Sequence, residues 1–158
     1  MSKVILITGT SSGFGKSIAE KLHSQGYTVI GTSRNTDKIN SVFKTMKLDI
    51  NNYEMSKNLI DNIINSYGKI DILINNAGIN ITGPIETANM SDIKKVFDTN
   101  FFSHVNMIQK VLPNMRSNNK GLIINITSIA GYVGLPYWGT YCDSKSSFNI
   151  LAESLNIG

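Results

Sequence analysis

The chain has a single cysteine, Cys142, and only two histidines among its 158 residues. One cysteine excludes an internal disulfide and fits a reducing compartment. Cys142 itself reads either as a reactive thiol or as a small residue filling space beside Tyr141. Neither His23 nor His104 has a Cys, His or Asp at ligand spacing, so no metal site is expected and both read as ordinary helix residues. Long apolar runs are also absent. None approaches the roughly 18 residues of a membrane span. The N-terminal apolar run is too short for a signal peptide and lacks a cleavage site. The expectation is a cytoplasmic protein with no membrane partner. Lys and Arg outnumber Asp and Glu by 15 to 11, giving a formal charge of +4. They are scattered rather than clustered, which argues against a nucleic-acid face.

With 41% hydrophobic and 16% charged residues, and no repeat, low-complexity tract or linker, residues 1–158 read as one domain with a real core. Strand-like and helix-like segments alternate throughout, the pattern of an α/β parallel sheet. Strands are predicted at 3–8, 27–32, 45–49, 70–74 and 121–126, and helices at 14–25, 36–42, 52–67, 91–117 and 139–157. Phe14, Ile18 and Leu22 recur every four residues in the first helix, which stops near Gly26. Met55, Leu59 and Ile63 form a stripe in the third. Phe97, Phe101, Val105, Ile108 and Leu112 do so in the fourth, after Ser91 as its expected N-cap. These stripes read as core or subunit interface.

Three glycines follow the first strand in Thr8-Gly9-Thr10-Ser11-Ser12-Gly13-Phe14-Gly15. In a strand-to-helix turn, glycines let the backbone bend tightly and approach a pyrophosphate, while the helix N-terminus offers unpaired N–H groups. The phosphates of such a nucleotide are a sufficient anion for the positive charge. Near the other end, Tyr141 and Lys145 stand four residues apart, so a helix puts them on one face. A tyrosine titrates near ~10 and carries protons poorly at neutral pH. An adjacent ammonium favours phenolate and makes the phenol a workable acid or base. Ser128, thirteen residues before Tyr141, would hold a carbonyl oxygen beside that phenol. Together these groups suit transfer of a hydride and a proton to or from a carbonyl.

The ordered set Thr8-Gly-x-x-x-Gly-x-Gly15, Asp49, Asn75-Asn76-Ala77-Gly78, Asn100, and Ser128 with Tyr141-x-x-x-Lys145 resembles the short-chain dehydrogenase/reductase family. The resemblance runs from residue 3 to the last. It implies a Rossmann-like doubly wound parallel sheet and an NAD(P) cofactor held by Gly9, Thr10, Ser11, Ser12, Gly13, Phe14 and Gly15. It also implies that Asp49 and Ile50 contact the adenine and that Asn76, Ala77 and Gly78 line the adenosine side. Asn100 would anchor a water linking Lys145 to solvent, and Lys145 would hydrogen-bond the nicotinamide ribose. Members also have two further strands, a nicotinamide-side turn and a substrate lid, so five strands are expected here with the C-terminal strands missing. Two positions depart from the family's habit: Asp143 and Ser147 stand where alanine is frequent. Asp143 is expected to point away from the Tyr141–Lys145 face.

The second strand ends Thr32-Ser33-Arg34. An NAD enzyme usually carries a carboxylate at the position of Ser33 for the ribose 2′-hydroxyl. Ser33 does not repel a phosphate and Arg34 can pair with one bidentately, so NADP is expected over NAD. Ser12 stands where many NADP-dependent members carry a second basic residue. Residues 129–140 are rich in glycine and aromatics and read either as the wall of a substrate site or as an apolar loop in a subunit contact. The first reading resembles members acting on steroids, retinoids or long aliphatic carbonyls; members acting on 3-oxoacyl thioesters are also similar. The function expected is an NADP-preferring oxidoreductase interconverting an apolar alcohol and carbonyl. It is also expected to form a homo-oligomer through helices 91–117 and 139–157. The alternatives are a non-catalytic nucleotide-binding remnant and, within enzymes, an epimerase or dehydratase sharing Tyr-x-x-x-Lys.

Overall fold

The computed structural model describes residues 2–37 and 40–157. Five short strands form one sheet: β1 (Val4–Ile7), β2 (Thr28–Ser33), β3 (Lys44–Lys47), β4 (Ile72–Asn75) and β5 (Leu122–Asn125). Their order is β3-β2-β1-β4-β5 and every pairing is parallel. The order reverses at β1: connections run outward to β2 on one side and to β4 on the other. A doubly wound sheet opens its ligand crevice at that switch, beyond the carboxyl ends of the strands.

All four residues of β1 are buried, as a central parallel strand covered on both faces requires. Alternation divides them. Val4 and Leu6 enter one core with Leu59, Ile63, Met107 and Phe148, whereas Ile5 and Ile7 enter a second with Ala19, Val29 and Ile74. Helices α1 (Gly13–Ser24), α2 (Tyr53–Tyr67), α3 (Met90–Phe97), α4 (Ser103–Ser117) and α5 (Gly139–Ile157) supply the covering layers. At the other extreme, β5 pairs only with β4 among the described residues, and Leu122 and Ile124 are 50% and 37% exposed. Among the described residues no helix is long and apolar enough to cross a membrane.

Several sequence expectations change. The helix expected over 36–42 is not found in its described part: Asp37 lies in a turn and Asn40–Val42 are not helical, while residues 38 and 39 lie outside the described residues. Helix α1 ends as expected, with Gly26 in the left-handed region at φ 85° and its N–H bonded to His23. Its Phe14, however, is 77% exposed rather than in the core. The long helix over 91–117 is three pieces, α3 and α4 joined by a π-helical turn at Asp98–Phe102, and its N-cap is Asn89 rather than Ser91. Its most buried line also falls one residue from the expected apolar stripe. It runs through Val96, Asn100, His104, Met107, Val111 and Met115. Two polar residues on that line broke the apolar pattern and displaced the reading to its neighbour.

Candidate active site

The glycine turn is built by exclusion. Gly9 and Gly13 take left-handed φ values of 72° and 58°, which side chains other than glycine's resist. A Cβ on Gly15 would lie 2.3 Å from the Gly9 carbonyl oxygen and 2.4 Å from Asn76 Nδ2. Ser12 caps α1 without a side-chain hydrogen bond, which leaves the helix's first N–H groups to an occupant of the turn.

Facing this turn, the loop after β4 is pinned to the end of β1. Thr8 Oγ1 accepts the Asn76 and Ala77 N–H groups at 2.9 and 3.0 Å, and Asn76 Nδ2 donates to the carbonyls of Thr8 and Gly9, each at 2.9 Å. The two loops enclose a cleft of about 330 Å³. Gly9, Ser11 and Ser12 form one wall, Ser33 and Arg34 the end, Asp49 and Ile50 a second wall, and Asn76, Ala77 and Gly78 the third. The other expected cofactor residues do not line it. Thr10 is fully buried and bonds the Thr32 carbonyl, Gly13 and Gly15 shape the turn, and Phe14 faces solvent.

Arg34 is exposed and forms no ion pair among the described residues. Ser33 Oγ donates to the Asn35 carbonyl and accepts the Asn35 N–H, while the Asp37 N–H is turned onto the Asn35 side chain. The cleft thus ends in one guanidinium and a hydroxyl. Lys95 and Thr99 also line it, and Thr99 Oγ1 accepts from Asn51 Nδ2 at 3.0 Å.

Beyond Gly78 the cleft meets the catalytic candidates. Lys145 is 5% exposed; its Nζ donates to the Ile126 carbonyl at 3.1 Å and lies 5.8 Å from the Tyr141 ring centre. Burial pushes its pKa below the ordinary lysine value. Asn100, fully buried in the π turn, accepts the Ile79 N–H and donates to both the Ile79 carbonyl and Ser144 Oγ. A Cβ on Gly78 would meet Asn100 Oδ1 at 3.3 Å and lie 3.6 Å from Lys145 Nζ, so Gly78 brings the loop close to both groups. Ser128 caps the 3₁₀ turn Ile129–Gly131 through a 3.2 Å bond from the Ala130 N–H. That turn sits hard on α5, where a Cβ on Gly131 would lie 2.7 Å from Asn149 Nδ2 and 3.1 Å from the Lys145 carbonyl carbon. Trp138 meets the Tyr141 ring edge to face at 5.7 Å. Ile129, Tyr132, Leu135 and Tyr137 continue as an exposed apolar surface. Asp143 is exposed and lines a separate cavity of about 520 Å³ with Pro84, Ile93 and Tyr137. Among the described residues no cluster of His, Cys, Asp or Glu could hold a metal ion.

Sequence reasoning missed Ile79, Ser144, Lys95 and His104 as neighbours of the site. None stands in a pattern that spacing alone would single out; each is brought there by the fold. Cys142 is buried beside Tyr141.

A parallel sheet reversing at β1, with a glycine turn at the reversal and a helix carrying Tyr141 and the buried Lys145, defines a dinucleotide-binding oxidoreductase class. The chain belongs to the short chain dehydrogenases, whose family model matches residues 3–157. It is 42% identical over 153 residues to a 3-ketodihydrosphingosine reductase of Bacteroides thetaiotaomicron, an alignment covering 97% of this chain and 57% of that protein. A short-chain dehydrogenase structure from Streptomyces avermitilis superposes with a TM-score of 0.94 at 31% identity, covering 98% of this chain and 60% of that one. A structure of ElxO with NADP bound superposes with a TM-score of 0.91 at 31% identity, covering 96% and 65%. The chain therefore spans about three fifths of the length of the relatives it matches.

Proposed function

We propose that this protein interconverts an alcohol and a carbonyl with NADP(H) in preference to NAD(H), using Tyr141 as the proton carrier. The observation that carries the proposal is the placement of Lys145. Its Nζ stands between the Tyr141 ring and Gly78, and Gly78 lines the nucleotide cleft. The cleft suits a nucleotide because its glycine wall leaves the backbone bare: Gly9 lines it with φ 72°, and a Cβ there would lie 2.9 Å from Ala77 Cα. Ser11, Ser12 and the first turn of α1 would hold the phosphates, Asp49 and Ile50 the adenine, and Arg34 the 2′-phosphate. When bound, the nicotinamide cofactor supplies or accepts the hydride.

The chain's own residues manage the proton and the alignment. In the reducing direction Tyr141 Oη gives its proton to the substrate oxygen, which Ser128 Oγ holds in place. Lys145 sets a positive charge beside the phenol, stabilising the phenolate left behind. Asn100, next to Gly78 and Lys145, belongs to the path by which Lys145 exchanges protons with solvent. The apolar surface from Ile129 to Trp138 abuts Tyr141 and suits an aliphatic or ring-bearing apolar ketone. The relative acting on a 3-keto compound points to the same class. The exposed β5 edge and apolar helix faces support self-association.

Titration with NADPH, followed by nucleotide fluorescence, and a carbonyl panel test this reading. Saturable NADPH binding with turnover of apolar ketones is expected. Binding without turnover on any carbonyl would replace the proposal with the second reading, a nucleotide-binding module.

A further inference from the structure

We propose that His104 is a positioning residue of the nucleotide cleft, acting through the Ala77 carbonyl. His104 projects from α4 and is 1% exposed. Its Nε2 stands 2.7 Å from the Ala77 carbonyl oxygen. A carbonyl oxygen only accepts, so Nε2 carries the proton and the ring is the Nε2–H tautomer. Nδ1 is buried with no partner among the described residues. An orphaned buried acceptor is costly, and an apolar side chain could stack on Phe148 without it, as the ring does at 5.2 Å and 17°. The Ala77 bond is what distinguishes a histidine here from a space-filling residue. Burial keeps the ring neutral, with its pKa pushed down to about 4; the Ala77 bond opposes that shift and the charge of Lys145 adds to it.

The bond matters because Ala77 sets the width of the cleft. Its N–H is held by Thr8 Oγ1 at the end of β1 and its carbonyl from α4 by His104, so the two peptide groups flanking Ala77 are clamped from opposite sides. A Cβ on Gly9 would lie 2.9 Å from Ala77 Cα, so any drift of Ala77 toward the glycine turn closes the space beside the phosphates. The next residue, Gly78, abuts Asn100 Oδ1 and Lys145 Nζ. Releasing the Ala77 carbonyl therefore loosens the glycine turn and the Lys145 side together.

The inference rests on the cleft holding NADP(H), and its test separates the two. His104→Gln and His104→Asn are both amides of similar polarity; only Gln reaches far enough to donate to the Ala77 carbonyl. Two quantities are compared after thermal melts establish that each variant folds: the NADPH dissociation constant, and amide hydrogen exchange at Ala77 without nucleotide. Gln is expected to stay within about twofold of wild type in both. Asn is expected to weaken NADPH roughly tenfold and speed Ala77 exchange by a similar factor. Equal Ala77 exchange in wild type, Gln and Asn overturns the positioning role whether or not nucleotide binds. If the exchange pattern is as expected but wild type ignores NADPH, the clamp stands as a structural feature and the role assigned to it in NADP(H) binding is overturned with the cofactor reading. If either amide unfolds the chain, ¹⁵N spectra of the wild-type ring decide: an Nδ1–H tautomer is incompatible with the bond.

Discussion

Acid should weaken this fold as pH falls below about 6.5, and His104 is the reason. In the unfolded chain its imidazole takes a proton near pH 6.5, whereas in the folded protein burial lowers that pKa to about 4. Between those values the unfolded state binds the extra proton and the folded state does not, so stability falls as pH drops from 6.5 toward 4. Each unit of separation is worth about 1.4 kcal/mol, so the full window costs about 3 kcal/mol. That is a large part of the 5–15 kcal/mol typical of a domain. Asp71 does not confuse the measurement. Burial raises its pKa, but the Val4 N–H at 2.8 Å and Lys69 at 3.0 Å outweigh that and lower it, and because Asp71 is the same in wild type and the glutamine variant its own loss in acid cancels in their comparison. The assay is urea unfolding of wild type and His104→Gln at several pH values from 7 to 4. Wild type should lose about 3 kcal/mol relative to the glutamine variant, most steeply near pH 5. Parallel curves for the two proteins would refute the argument, because the neutral buried ring would then not be the source of the acid sensitivity.

Other perturbations probe the cleft and its surroundings. Ser33→Asp puts a carboxylate beside Arg34 and should weaken NADPH while sparing NADH; a wild type that binds NADH more tightly than NADPH defeats the proposed preference. Tyr141→Phe should abolish turnover with cofactor affinity unchanged, while Lys145→Ala should damage both, and near-wild-type turnover by the phenylalanine variant would rule out the proton carrier assigned here. Gly15→Ala forces a methyl against the Gly9 carbonyl at 2.3 Å, so NADPH binding should be lost; an alanine variant with wild-type affinity would show the turn is not the phosphate cradle. The chain should also self-associate, with growth in size with concentration if the β5 edge dominates and a discrete dimer or tetramer if the helices do. Light scattering after size exclusion reads this, and a clean monomer at tens of micromolar would sink both routes.

The sheet was legible because its strands are short, apolar and bounded: Val4–Ile7 and Ile72–Asn75 fall within two residues of their expected limits. The glycine turn and Tyr141–Lys145 were legible because each depends on near neighbours in sequence, where spacing fixes geometry. The helix expected at 36–42 was misread because a few polar residues in a connection carry little periodicity. The misplaced stripe of the long helix has a different cause. Asn100 and His104 occupy its most buried line, and their partners Ile79 and Ala77 lie more than twenty residues away. Periodicity measures apolarity, so it steps around a buried polar group that only a distant backbone satisfies. Phe101, in the stripe expected as core or subunit interface, does pack inward. In the structure it is partly buried and packs edge-on against Phe148, leaving Phe102 as the exposed ring.

Buried and partly buried polar groups explain why the crevice is rigid where a nucleotide must fit. Thr8, Asn76, Asn100, Ser144 and His104 each bond to a carbonyl or N–H of the loops that form the crevice, or to one another, and all lie around the β1–β4 junction. An apolar interior would hold the strands equally well, since β1 is buried on both faces without help. What it could not do is fix the loops beyond the strand ends, because loop peptides have no ladder of their own and need side chains to satisfy them. Polar residues inside this fold are therefore concentrated where regular structure stops and the site begins. That is also where one of the fold's few unpaired buried atoms, His104 Nδ1, is tolerated. The residue is retained despite it because the carbonyl it holds belongs to the wall of the cleft.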